Sequence, residues 1–103
     1  MCVPSRMKSD QFTLDGEHDT PNGWLYTFTL AQDGSHHEMT LSWVDHEYLV
    51  GGAIAPEHVA RAIFALAIEQ FQGDVPAKFD CSSIRRRVDA FDVRVREIID
   101  APL

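Results

Sequence analysis

Residues 24–43, WLYTFTLAQDGSHHEMTLSW, decide the fold, because two alternating apolar sets flank an Asp-Gly dipeptide. Trp24, Tyr26, Phe28 and Leu30 share one face of the first half, and Met39, Leu41 and Trp43 share one face of the second. Such period-two alternation of aromatic and aliphatic residues marks strands with one buried face. Asp33-Gly34 suits a two-residue type I′ hairpin turn, whose central residues both need positive φ. That turn predicts Phe28 opposite Met39, Tyr26 opposite Leu41 and Trp24 opposite Trp43. Thr27 then meets Thr40 and Thr29 meets Glu38 on the other face. A slip of one residue would scramble the two faces, so turn chemistry and hydrophobic pattern support each other.

Working outward from the hairpin, Phe12 and Leu14 alternate with polar residues and predict a short first strand. The run Asp19-Thr20-Pro21-Asn22-Gly23 predicts the loop that joins it to the hairpin. The strands lie at about 10–16, 24–32 and 35–44 and form an antiparallel meander. Residues 45–52 read as the turn that leads out of the sheet.

Pro56 suits the first position of a helix and Gly73 the residue past its end, which predicts a helix over about 56–72. Val59, Ile63 and Leu66 centre its apolar face. Ile68 falls among polar residues on the wheel, so Ala65 and Ile68 are candidates for an outer contact surface. Asp80 can cap a last helix over about 81–100, ended by Pro102, with Ile84, Val88, Phe91, Val95 and Ile98 as its apolar stripe. Asp92 is an alternative cap that would split this helix in two. The expected fold is thus α+β, a three-stranded antiparallel meander with two helices packed on its Trp24/Trp43 face. A flexible leader over 1–9 precedes a single domain over 10–103.

Composition excludes several functions. A net charge of −7 opposes general affinity for nucleic acid or an anionic membrane, since such binding depends on clustered cations. No apolar run reaches the length of a membrane span and no signal peptide is legible, so a soluble, cytoplasmic protein is expected. Cys2 and Cys81 form no CxxC or metal-type spacing and read as reduced thiols. No catalytic motif, phosphate-binding glycine loop or cofactor motif is present, so no cofactor is expected. His36, His37 and Glu38 alternate across a strand and offer at most two ligands in one direction, so no metal site is expected.

Asp45, His46, Glu47 and Tyr48 are the only compact group of acids and bases, and Asp45, His46 and Tyr48 are ligand or partner candidates for that reason. Arg85 has Asp89 four residues on and Arg86 has it three on, but Arg87 has no acid at three or four residues. Arg87 and Arg94 border the apolar stripe on one flank and are candidates for an ion pair, a ligand or a partner.

Leu41-Ser42-Trp43-Val44-Asp45, Gly51-Gly52, Pro56-Glu57 and Phe79-Asp80-Cys81-Ser82-Ser83-Ile84-Arg85-Arg86 together resemble a group of small bacterial proteins of no assigned function. The resemblance spans about residues 10–100, rests on overall pattern, and carries no catalytic residue across. The leading expectation is a non-catalytic interaction module. It would bind a protein partner or self-associate through a sheet edge or the outer side of the first helix. The alternative is a small-molecule or anion-binding protein, weakly enzymatic at most, using residues 45–48 and Arg87.

Overall fold

The computed structural model describes residues 11–51, 54–72 and 74–100. Its elements run β1 (Phe12–Thr20), β2 (Gly23–Leu30), β3 (His36–Ser42), α1 (Trp43–Val50), α2 (Pro56–Phe71), β4 (Lys78–Asp80), α3 (Cys81–Arg85) and α4 (Phe91–Asp100). The sheet order is β1-β2-β3-β4, with the first three strands antiparallel and β4 parallel to β3. The chain is α+β and its first three strands form the expected meander. The leader over 1–9, Cys2, Gly52, Gly73 and the stop at Pro102 lie outside the described residues.

The hairpin register differs from the expected one by two residues: Trp24 faces Leu41, Tyr26 faces Met39 and Phe28 faces His37. The turn is longer than Asp33-Gly34 alone. Leu30 N–H donates to Ser35 O at 2.8 Å and Gly34 N–H donates to Leu30 O at 2.8 Å, so residues 31–34 make the loop. Gly34 takes positive φ (71°) but Asp33 does not, as a type I′ turn would require. The Asp33 carboxylate instead accepts from the Ser35 amide at 3.0 Å and the Ser35 hydroxyl at 2.7 Å, a local turn that competes with the tighter one. Because the displacement is even, the same side chains still face inward. Tyr26, Phe28, Leu30, Met39 and Leu41 are all buried.

The strand ends differ too. β1 runs on to Thr20, with a bulge between Leu14 and Gly16, and Thr20 pairs with Gly23, leaving Pro21-Asn22 as the connection. A Cβ at Gly23 would lie 2.1 Å from the Leu41 carbonyl oxygen, so close strand approach requires glycine there. β3 stops at Ser42, and residues 45–52 are not a simple turn: the chain enters α1 at Trp43. Ser42 Oγ accepts the Asp45 N–H at 3.1 Å as the N-cap, and Gly51 closes the helix in the left-handed region with φ 63°. Trp43 therefore leaves the sheet, and no cross-strand Trp24–Trp43 pair forms.

α2 is buried nearly all round, from Val59 and Ala60 through Ala62 to Ile68. The sheet takes one flank and α3 and α4 pack on others. This corrects the expected outer surface: Ala65 and Ile68 are 5% and 8% exposed. A helix apolar on every side belongs in the interior. Phe64 stacks on Phe28 at 4.2 Å with the rings 6° from parallel, meets Phe12 edge-on at 5.0 Å, and lies 6.2 Å from Phe79.

The continuous helix over 81–100 is replaced by α3 and α4. Asp80 caps α3 as expected, accepting the Ser83 amide at 3.0 Å. The chain then breaks over 86–90 and Ala90 adopts φ 54°, before α4 begins with Asp92 in its first turn. The apolar stripe still turns inward: Ile84, Val88, Phe91 and Val95 are buried, and Ile98 packs against the core. β4 has only three residues and no alternation to read. Its pairing of Met39 with Phe79 comes from the tertiary arrangement. Among the described residues no helix is long and apolar enough to cross a membrane.

An L-residue in the left-handed region costs about 1–2 kcal/mol, offset in part by the greater unfolded-state freedom of glycine. Ala90→Gly is therefore expected to stabilise the protein by roughly 0.5 kcal/mol. Urea denaturation checks this; a lower midpoint would show that the Ala90 methyl packs usefully.

Candidate functional site

α1 is the element whose exposed surface is most unusual. At about 100° per residue, Trp43, Glu47, Val44 and Tyr48 occupy an arc of about 140°, and all four are exposed. Trp43, Val44 and Tyr48 are 54%, 76% and 61% exposed. Asp45, Leu49 and His46 fill the opposite arc and are buried. Three large apolar or aromatic groups on one solvent face exceed the scattered exposure normal for a surface.

The buried arc anchors the helix. Asp45 makes an ion pair with Arg85 Nη1 at 2.6 Å, and the Arg85 guanidinium lies 6.0 Å from the Tyr48 ring centroid. His46 Nε2–H donates to the Ile54 carbonyl at 2.7 Å, and its ring packs edge-on to Trp24 at 5.3 Å. Arg96 Nε–H donates to the Leu49 carbonyl at 2.7 Å. Side chains from α3 and α4, and the connection to α2, thus hold α1 in place.

The structure brings Asp45 and Tyr48 together through Arg85, whereas His46 points to another flank. Arg94 pairs with Glu69, and the Arg87 guanidinium lies 5.4 Å from the Phe71 ring centroid. Both arginines are held at the C-terminal end of α2, away from the α1 contacts, and neither joins the residues at 45–48. Ala65 and Ile68 lie beneath the surface.

Sequence reasoning missed Trp43, Val44 and Arg85. Trp43 continued the strand alternation and hid the start of α1. The readable signals were Ser42 with Asp45 three residues on, and Gly51 at helix-closing distance. On one continuous helix Arg85 would meet Asp89, and the break over 86–90 frees it to reach Asp45 instead.

Two grooves lie on other parts of the surface. One, of about 560 Å³, runs over the outer sheet face past Asp15, Thr27, Thr29, His36, Glu38 and Lys78. The Thr29 hydroxyl donates to the Asp15 carboxylate and lies 3.2 Å from His36 Nδ1, so these polar groups already satisfy one another. The second, of about 430 Å³, lies where β3 and β4 run into α1 and α3, lined by Asn22, Thr40, Ser42, Asp45, Asp80 and Ser82. Among the described residues no three His, Cys, Asp or Glu side chains converge as a metal site would need.

His36 and His37 take opposite faces of β3, as alternation requires. His37 is buried, and its Nδ1–H donates to the Pro76 carbonyl at 2.8 Å. Its Nε2 lies 2.7 Å from Ser35 Oγ, so it ties the hairpin loop to the segment before β4. The amide and then the hydroxyl of Ser35 hold the Asp33 carboxyl below its usual range. Cys81 is a buried free thiol, pushed up to about 12 by burial first and then by the negative charge of Asp45. Such a thiol is a poor nucleophile.

No family model matches the chain, and neither a curated protein nor a solved structure shows a significant match to it.

Removing Arg85 would leave Asp45 largely buried without its cation. Arg85→Ala is expected to cost about 1–2 kcal/mol, less than a fully buried pair because Arg85 is partly solvated. Arg86→Ala, at an exposed position, is expected to stay within about 0.5 kcal/mol. Equal urea midpoints for the two variants would show that the Asp45–Arg85 pair carries no stability.

Cys81 also sets an alkaline limit. Its folded pKa is raised from 9.0 to about 12, so the unfolded state loses its proton first. The thiol's contribution is fully present below about pH 9 and is lost as pH rises from there towards 12. Stability is expected to fall by at most about 1.4 kcal/mol per pH unit from this group, and Cys81→Ala should remove that part of the slope. Unfolding free energies measured between pH 8 and 10.5 check this; identical slopes in the two proteins would refute it.

Proposed function

We propose that the protein is a non-catalytic interaction module that binds a protein partner through the exposed face of α1. The observation that carries this reading is the joint exposure of Trp43, Val44 and Tyr48 on one short, multiply anchored helix. Aromatic residues and arginine are enriched at protein interfaces, and rigid aromatic side chains bury much area at little entropic cost. Arg85, held by Asp45 and lying beside Tyr48, adds a preorganised guanidinium at the edge of that face. The sheet edges suit the role less well. β4 is three residues long, and β1 carries Asp15, Glu17 and Asp19 and a bulge, features that discourage strand addition.

The test is affinity capture from a native lysate with the wild-type chain, Trp43→Ala and Tyr48→Ala. A specific protein retained by the wild type is expected to fall by about tenfold or more with each variant, as at an interface hot spot. Thermal unfolding should be little changed, because both side chains are exposed. Capture indifferent to both substitutions would remove α1 as the interface. It would shift the reading to a small ligand in the 430 Å³ groove, whose Asn22, Thr40, Ser42 and Ser82 lining suits a hydroxylated molecule.

A further inference from the structure

Glu47 sits in the middle of the α1 face, and it is the charged member of an otherwise apolar and aromatic arc. It makes no ion pair among the described residues, whereas Asp45, two positions earlier on the same helix, is neutralised by Arg85. Trp43 stands four residues before Glu47, one helical turn away on the same flank, so the carboxylate and the indole border one patch of surface. A carboxylate beside an aromatic face is complementary to a guanidinium or ammonium group, which gains both an ion pair and a cation–π contact. Val44 and Tyr48 extend the patch on the other side with apolar surface.

We infer that the α1 face takes a partner segment that places an arginine or lysine side chain against Glu47 and Trp43, with apolar side chains packed on Val44 and Tyr48. This rests on the reading of α1 as the interaction face and names the chemistry of its partner. The net charge of −7 supports it, because a cationic partner would be steered towards the chain while an acidic one would be repelled. A second copy fits less well. Two chains that each carry a net charge of −7 repel one another, whereas a cationic segment is attracted. The face has a direction, since the Trp43 end carries the Glu47 carboxylate while at the Tyr48 end the Arg85 charge is already balanced by Asp45.

The experiment selects binders from a random peptide library displayed on phage, using the immobilised full chain. The enriched peptides are then synthesised and titrated against the wild type, Glu47→Gln, Glu47→Lys and Trp43→Ala at low and high salt, with sedimentation of each protein alone. The expected result is enrichment of Arg or Lys flanked by apolar residues. Binding should weaken about tenfold or more on Glu47→Lys and fall as salt rises. Peptides that need Trp43 but carry no Arg or Lys and ignore Glu47→Lys would overturn the cationic partner and leave the α1 face standing. No Trp43-dependent peptide at all would overturn both. A wild-type dimer that Trp43→Ala abolishes would replace the cationic segment with a second copy.

Discussion

The stacking of Phe64 on the sheet is the contact on which the rest of the structure depends. Its ring lies 4.2 Å from Phe28 of β2, 5.0 Å from Phe12 of β1, 5.7 Å from His37 of β3 and 6.2 Å from Phe79 of β4. One side chain of α2 thus meets an aromatic ring from every strand. Each such pair adds a modest increment beyond burial, and large rings dominate the area a small core can hide. In a chain of 103 residues, with limited interior to spare, this concentration lets a three-residue strand such as β4 hold its place.

Placing α2 at the centre determines where the remaining helices lie. Alanines at 60, 62, 65 and 67 keep its surface low, and α3 and α4 pack against the flanks that the sheet leaves uncovered. Arg94 and Arg87, from the α3–α4 region, then fall on Glu69 and Phe71 at the C-terminal end of α2. Arg85 and Arg96 fall instead on Asp45 and the Leu49 carbonyl of α1. Four of the five arginines between 85 and 96 therefore serve the packing of one helix on another, and the apparent basic cluster is not a free cationic surface.

The same anchoring explains why α1 is suited to recognition. A helix of eight residues has little intrinsic stability in water. Ser42, Asp45, His46 and Leu49 each bond to a neighbouring element or cap the helix, so its outward side chains are presented in one arrangement. Little of the ordering entropy is then left for a partner to overcome. The outer sheet face contrasts with it, because the hydroxyl, carboxylate and imidazole groups of Thr29, Asp15 and His36 are already engaged with each other.

The sequence by itself determined the α+β class, the meander, the inward face of the first three strands, α2 from Pro56 and the cap at Asp80. Each of these rests on a short-range signal: period-two or helical spacing, a proline, or a side chain that bonds an amide three residues on. Parity survived even where register did not, because the hydrophobic pattern specifies which face is buried but is unchanged by a two-residue displacement. That register follows from the Asp33–Ser35 turn, a local bond that displaces the tighter turn suggested by Asp-Gly. The tertiary structure alone decided the pairing of β4 with β3, the break at Ala90 that divides α3 from α4, and the enclosure of Ala65 and Ile68. The candidate face was legible only in part: Asp45 and Tyr48 stood out as residue types, but Trp43 read as strand and Arg85 as paired to Asp89. The β4 pairing and the Asp45–Arg85 bond join residues about 40 apart in the chain, and local periodicity carries no information about such distant neighbours.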